Sequence, residues 1–429
     1  MHLAEQALAS RGSWLKRALD ARDGTRELHA RITDEIAGAV GALKGVEAAE
    51  KLRSGGLETL HQVIDPIDVG AVRDRVLDRL RNDLLAMAVR VGRDTMGWRD
   101  EFYVDDYLIL RINFPYEVAR TADVAAENPG IGRISPWMRG IAAARRVKDP
   151  VYDPKGYHRS HPPAAWAHGP HLDSWAGHSK DGLNIWWAMC DVPAEASMVL
   201  YPDFAANLLC DRRTLYLQAG YRLPPPTFVP LRAGEMLIFD PEILHGTHLN
   251  ITQQTRVAVS MRLNGGKPRF DPNCFYAREF WRRAGDIEAG RFEAVLHLKR
   301  EDNLAQAESA VSPAAPAPPN VIEIASGAGA AVHLGSSALV REGERIIVAL
   351  PDRRIMVTRT AGRLHAVDAA CPHYGAALAD GGARGDKLYC PACAVAFDLQ
   401  SGRSASPRLA LRTFPVREDN GMIVLGLPV

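Results

Sequence analysis

The sequence predicts a mainly β chain of several domains, with helices confined to its N-terminal end. Three observations carry this. Apolar residues recur at helical spacing before about residue 95, short alternating runs take over from there, and a Pro/Ala-rich break at 309–319 divides a long β-rich stretch from a short one. A chain of 429 residues is too long for one ordinary core. The pattern divides it into a helical region at 1–95 that packs on a large β domain at 96–305, then a Pro/Ala/Gly-rich linker at 306–336 and a small β domain at 337–429.

Asp68 is a candidate N-cap for a helix in which Val72, Val76, Leu77, Leu80, Leu84 and Met87 share one face. Residues 4–52 are also helix-rich. Strand character begins at 102–112, with further strands expected at 183–189, 235–239 and 257–261. Between them, 116–170 mixes helical pieces with Pro- and Gly-rich connections, the kind of insert that carries selectivity on a β scaffold. His158, His161 and His168 fall there and read as loop residues or hydrogen-bonding partners. After Arg262 the sheet is expected to stop, and Asp271-Pro-Asn opens a helix running through Phe280, Trp281 and Phe292 to about Leu304. Pro/Ala runs favour extended chain and bury no core, and the Gly/Ala run at 326–331 prolongs the linker. Three short alternating runs come after it, at 345–350, 354–358 and 364–367.

Chemistry concentrates between His171 and Arg256. Side chains two apart on a strand share a face, so His171 and Asp173 can reach one metal. His245 comes after the 235–239 run and the turn dipeptide Asp240-Pro241. Two imidazoles and one carboxylate hold Fe(II) on one face and leave the opposite positions open. Arg256 opens the next apolar strand, where a guanidinium offers a planar fork to a carboxylate.

These four residues stand in the order and spacing of the Fe(II)/2-oxoglutarate-dependent oxygenases. With Asn184-Ile-Trp-Trp-Ala-Met-Cys-Asp-Val-Pro193 and Leu244-His-Gly-Thr-His-Leu-Asn250, the stretch at roughly 100–270 resembles the phytanoyl-CoA dioxygenase branch in particular. The resemblance implies a double-stranded β-helix, a jelly-roll barrel with iron at its mouth. It implies His171, Asp173 and His245 as iron ligands, Arg256 assisted by Thr247 on the far carboxylate of 2-oxoglutarate, and Trp186 in the same pocket. No catalytic side chain beyond the ligands is assigned. The chain departs from the family at Leu200-Tyr-Pro-Asp203, where a Pro-Gly-Ser-His corner is frequent. Asp173 argues against halogenation, since halogenating relatives leave that position to chloride.

A second set of donors lies near the C-terminus, in Cys371-Pro-His373-Tyr-Gly375 and Cys390-Pro-Ala-Cys393-Ala394. With Leu378, Phe397, Asp398 and Gly402 these loops closely resemble a Rieske [2Fe–2S] domain, in which one iron takes two thiolates and the other two imidazoles. Two positions depart: Cys393 stands for the second histidine and Ala394 for the glycine after it. Cys371, His373, Cys390 and Cys393 then give three thiolates and one imidazole, and an extra thiolate lowers the potential. The same four residues also have the spacing of a single tetrahedral zinc site. Cys190, Cys210 and Cys274 are scattered and read as ordinary reduced thiols.

With 52 basic and 51 acidic side chains there is no global field to favour nucleic acid or an anionic membrane. The cluster Arg139, Arg145, Arg146 and Lys148 reads as a solvated face. No run reaches the ~20 apolar residues of a membrane span, and the N-terminus lacks a signal-peptide layout, which reads as cytosolic. The expectation is therefore an oxygenase that uses O2 and 2-oxoglutarate to oxidise a C–H bond of a small molecule, with natural-product metabolism implied by the 171–184 segment. The appended cluster implies an electron donor such as a ferredoxin reductase, and a role in re-reducing the iron after uncoupled cycles. A Rieske-type oxygenase using no 2-oxoglutarate, or a non-catalytic redox module, are the alternatives.

Overall fold

The computed structural model describes residues 14–17, 24–119, 167–176, 178–204, 208–211, 216–269, 281–294, 320–324, 330–373 and 375–427. His158, His161, Cys274, the basic cluster at 139–148 and the Pro/Ala break at 309–319 lie outside them.

After a short strand β1 (Trp14–Arg17) come helices α1 (Thr25–Lys44), α2 (Val46–Gly55) and α3 (Val69–Arg90). Leu28, Ile32, Ile36 and Val40 recur every four residues on α1, and the six apolar positions expected on α3 are all buried. Asp68 does sit at the N-cap of α3. Its carboxylate turns back to the Asp65 N–H at 3.0 Å, leaving the helix N–H groups uncapped by it.

The large domain is built on one sheet of order β1-β9-β4-β11-β2-β12, with β3 also on β11, and a smaller sheet of order β10-β5-β8. In chain order these are β2 (Tyr103–Asp105), β3 (Ile109–Asn113), the short helix α4 (Tyr116–Ala119), β4 (Gly182–Ala188), β5 (Met198–Tyr201), the two-residue pair β6 (Cys210–Asp211) and β7 (Tyr216–Leu217), β8 (Thr227–Val229), β9 (Met236–Phe239), β10 (Leu244–Thr247), β11 (Arg256–Asn264), β12 (Trp281–Arg283) and helix α5 (Ala284–Glu288). Alternation sorts the side chains. Odd positions such as Ile185, Trp187, Val257, Val259 and Met261 face outward and pack under α1 and α3. Even positions Trp186, Ala188, Ala258 and, on β9, the odd Leu237 and Phe239 face inward and meet Met198, Leu200 and Val229 of the smaller sheet. Two antiparallel sheets closing on each other in this way form a jelly-roll barrel.

Several expectations need correction. The region at 1–95 is not wholly helical, because β1 pairs with β9 at the sheet edge. The strand expected at 102–112 breaks at Asp106, whose carboxylate binds Arg81 of α3 and Arg282 of β12 at 2.6 and 2.7 Å. The sheet does not stop after Arg262, since β11 runs on to Asn264 and Trp281 lies in β12, paired to β2; among the described residues the helix of this stretch covers Ala284–Glu288. A buried charge triad thus joins three elements that apolar periodicity could not relate.

The small β domain starts earlier than expected. Strands β13 (Asn320–Glu323) and β14 (Ala331–Ser336) occupy positions assigned to the linker. Then come β15 (Arg345–Ala349), β16 (Arg354–Thr360), β17 (Arg363–Asp368), β18 (Ala383–Arg384), β19 (Lys387–Tyr389), β20 (Ala396–Asp398), β21 (Val416–Asp419) and β22 (Met422–Gly426). β13 lies parallel to β15 at an edge, and β14 pairs with β22. Both depend on distant partners, so these short runs carry little local signal. No described helix is long and apolar enough to cross a membrane.

Candidate metal centres

In the barrel the chain brings His171, Asp173 and His245 together, with one donor atom from each within 4.8 Å of the others. His171 pairs with His245 in an isolated antiparallel bridge beside β10. Asp173 then opens a 3-10 turn (Asp173–Ala176) rather than continuing a strand, so the two-apart geometry expected for it is replaced by a turn. Convergence survives: Asp173 Oδ1 lies 3.5 Å from His171 Nε2 and 3.6 Å from His245 Nε2.

Every other donor of this group is occupied by the protein. His171 Nδ1 meets the Gly169 carbonyl and His245 Nδ1 the Ile243 carbonyl, both at 2.8 Å. A carbonyl only accepts, so each Nδ1 carries a proton and Nε2 is the ring atom turned toward Asp173. Asp173 Oδ2 accepts from Asn184 Nδ2 at 2.9 Å and from Arg262 Nε at 3.1 Å. Burial alone would raise the Asp173 pKa, but Arg262, His178 and the two imidazoles overrule it and hold the carboxyl well below its usual range. Burial pulls His245 down to about 3, leaving a neutral ring. Two imidazole Nε2 atoms and one carboxylate oxygen facing a common point fit a divalent metal. Sequence reasoning missed Asn184 and Arg262 as supports. Their signal was parity, since both stand at even, inward positions opposite each other across β4 and β11.

Arg256 also points inward, six residues before Arg262 on β11. Its two terminal nitrogens donate to the Ala196 carbonyl at 2.7 Å and to Asn113 Oδ1 at 2.6 Å. Its Nε and the neighbouring Trp186 Nε1 are buried without partners, and the guanidinium lies 5.7 Å over the Trp186 ring. Two orphaned donors inside a barrel fit a carboxylate, since leaving such groups unpaired costs about 1–3 kcal/mol each. Thr247 lies on the adjoining sheet, where its hydroxyl accepts from the His168 N–H at 2.8 Å.

In the small domain Cys371, Cys390 and Cys393 converge, buried, with sulfurs within 4.8 Å. The two loops repeat one turn. Cys371 N–H donates to Ala376 O and Gly375 N–H to Cys371 O; Cys390 N–H donates to Val395 O and Ala394 N–H to Cys390 O. The fifth residue is left-handed in both, at φ 69° for Gly375 and 60° for Ala394. Burial and the neighbouring sulfurs push the Cys390 and Cys393 thiols well up. His373 is outside the convergent trio, and its ring stands edge-on to Tyr116 of α4 at 5.1 Å. A thiolate-rich donor set fits an iron–sulfur centre, with Cys393 where a Rieske centre has its second imidazole.

Comparison with known proteins agrees with this layout. The family model for phytanoyl-CoA dioxygenase (PhyH) matches residues 70–258, and that for the Rieske [2Fe-2S] domain matches 330–415. The ferredoxin component of the alkene monooxygenase system of Xanthobacter autotrophicus is 28% identical over 87 residues, covering 20% of this chain and 71% of that protein. The ferredoxin component of the naphthalene 1,2-dioxygenase/salicylate 5-hydroxylase systems of Ralstonia sp is 27% identical over 88 residues, covering 20% and 85%. Among solved structures, the ferredoxin of carbazole 1,9a-dioxygenase from Nocardioides aromaticivorans IC177 is 20% identical, covers 23% of this chain and 98% of its own, and superposes with a TM-score of 0.22. The PhyH family is Fe(II)/2-oxoglutarate-dependent and a Rieske domain carries a [2Fe–2S] cluster. This chain is an oxygenase that joins a PhyH domain to a Rieske [2Fe-2S] domain.

Proposed function

We propose that the barrel is an Fe(II)/2-oxoglutarate-dependent dioxygenase acting on a C–H bond of a small molecule, and that the C-terminal domain supplies it with electrons. The observation that carries this reading is the split duty of Asp173. One oxygen faces the Nε2 atoms of two imidazoles, and the other is held by Asn184 and Arg262.

His171, Asp173 and His245 would hold the iron, which when bound supplies activation of O2 at the expense of 2-oxoglutarate decarboxylation. Arg256 and Trp186 would receive the far carboxylate, exchanging orphaned donors for charge-assisted bonds. Thr247 lies on the same inner face as His245 and would close the pocket beside it. The apolar interior around Leu237 and Phe239 keeps water from the site. Cys371, His373, Cys390 and Cys393 would ligate the cluster, with a ferredoxin reductase as its source of electrons. A cytoplasmic setting and a natural-product substrate complete the reading.

The test is anaerobic titration with Fe(II) and then 2-oxoglutarate, watching for the weak visible charge-transfer band of the chelated diacid. The band is expected in the wild type and absent in Asp173→Ala. Loss of 2-oxoglutarate binding in Arg256→Ala, with Fe(II) binding kept, separates anchor from ligand. An unaltered wild-type spectrum would overturn the proposal.

A further inference from the structure

The Rieske domain is seated on the barrel by its cluster loops. Gly246 and Leu244 of β10 and Val199 and Tyr201 of β5 stand opposite each other in the smaller sheet, on the face that points away from the barrel interior. Ala394, the residue after Cys393, packs into a cluster with Val199, Tyr201 and Leu244. The Leu249 N–H donates to the Cys393 carbonyl at 3.0 Å, so the loop is hydrogen-bonded to the chain just after β10. The other face of this sheet carries His245. One layer of β structure therefore has the barrel's iron-binding imidazole on one side and the second cysteine loop on the other. From His245 to Leu249 the chain can span at most about 13 Å, at the ~3.3 Å rise of fully extended backbone.

Contacts on either side hold this seat. Glu117 of α4 pairs with Arg408 at 2.6 Å, and the Asp380 carboxylate accepts from the Gly220 N–H at 2.7 Å. A Cβ on Gly382 would collide with the Pro224 carbonyl group, so the surfaces meet backbone to backbone. The two cysteine loops differ in exposure. In the second, Cys393, Ala394 and Val395 are buried against the barrel; in the first, His373 meets Tyr116 of α4 while Pro372, Gly375 and Ala377 are exposed.

Resting on the function proposed above, we propose that this wall is a built-in electron route, with the first loop as entry and the second as exit. The chain from Cys393 through its hydrogen bond to Leu249 and back along β10 to His245 connects the two centres within one molecule. One electron enters the cluster from a one-electron donor protein at the exposed loop. It then leaves the reduced cluster, which returns to its oxidised state, and converts ferric iron in the barrel to ferrous.

The test uses the full-length holoprotein with both centres oxidised, mixed with a limiting amount of dithionite. Freeze-quench EPR follows the rise and decay of the reduced-cluster signal and the loss of the high-spin ferric signal. The expected decay is independent of protein concentration. Gly382→Ala, which forces the surfaces apart and touches neither donor set, should slow it at least about tenfold, as when a docked partner becomes merely tethered. Its cluster potential and Fe(II) affinity should be unchanged. Glu117→Arg, which sets like charges opposite Arg408, is the second variant should the first fail to fold. Second-order decay, or first-order decay unslowed in a variant whose Leu249 amide has lost hydrogen-exchange protection, overturns the route. A protein that shows the 2-oxoglutarate charge-transfer band but no cluster decay refutes the route alone. One that shows no band refutes the function it rests on.

Discussion

The barrel donors and the cysteine donors are held ready by different physics. In the barrel, hydrogen bonds made to the donor side chains themselves hold them: main-chain carbonyls hold each imidazole by Nδ1, and Asn184 with Arg262 holds the carboxylate. The ionised Asp173 carboxylate and the neutral His245 ring that a metal needs are already the resting state. In the small domain, backbone turns position the thiols, and burial favours their protonated forms. That site is shaped in advance but not charged in advance. Metal must therefore displace protons from the cysteine site, whereas in the barrel it meets an ionised carboxylate and a neutral His245.

The largest effects come from removing one donor at each centre. Asp173→Ala should abolish Fe(II) binding in the barrel and lower turnover by more than about 10³-fold, leaving the cluster absorbance intact. Cys390→Ser should bleach the cluster and leave Fe(II) binding in the barrel within about twofold. Metal analysis with visible spectra reads both. If either substitution emptied both centres, the independence of their donor sets would fail.

The contrast in protonation gives the second prediction. Cys390 and Cys393 hold their protons above the usual thiol range, so each thiolate formed on metal uptake releases a proton at neutral pH. Apparent affinity at this site should climb about tenfold per pH unit for each proton displaced. For Asp173, lowered well below the carboxylate range, and His245, at about 3, the free forms already lack those protons. These two ligands should add no pH dependence to Fe(II) affinity above about pH 5. Competition titrations at several pH values would separate the two slopes, and an equally steep dependence from Asp173 and His245 would contradict the contrast.

How far these sites were legible in the sequence depends on the same contrast. His171, Asp173 and His245, and the two Cys-Pro loops, are short strings whose chemistry can be read locally. Arg262 could not be read that way. It bears on Asp173 across 89 positions, and only the register of β4 on β11 brings Asn184 opposite it. The same holds for the fold. The stripe on α3 was visible because periodicity is local, whereas β1, β12, β13 and β14 depend on partners far along the chain. The break between β2 and β3 required knowing where Arg81 and Arg282 meet Asp106.

Arg262 itself supplies the third prediction. Removing a partner that orients a metal ligand lowers affinity by about 10–100-fold. Arg262→Ala should fall in that range for Fe(II), with the cluster unaffected. Asn184→Ala should fall at its lower end, because a neutral amide contributes less to a carboxylate than a guanidinium does. An Fe(II) isotherm indistinguishable from wild type in both variants would show that the imidazoles alone fix the site.

The smallest effect is the most discriminating about the two cysteine loops. Ala394 takes the left-handed conformation that Gly375 takes in the sister turn, at a cost of roughly 1–2 kcal/mol for a residue with a Cβ. Ala394→Gly would relieve this, less about 0.4–1 kcal/mol for the added freedom of the unfolded chain. The methyl group it deletes is buried against Val199, Tyr201 and Leu244, and such a group contributes about 0.8 kcal/mol. The terms nearly cancel, so Ala394→Gly should leave the thermal midpoint of the docked protein within a degree or two. In a Gly382→Ala background the methyl contact is already weakened, and the same substitution should raise stability by a few tenths to about 1 kcal/mol. This cycle asks whether the alanine persists because it seals the domain interface. Equal gains in both backgrounds would show that its methyl does nothing there.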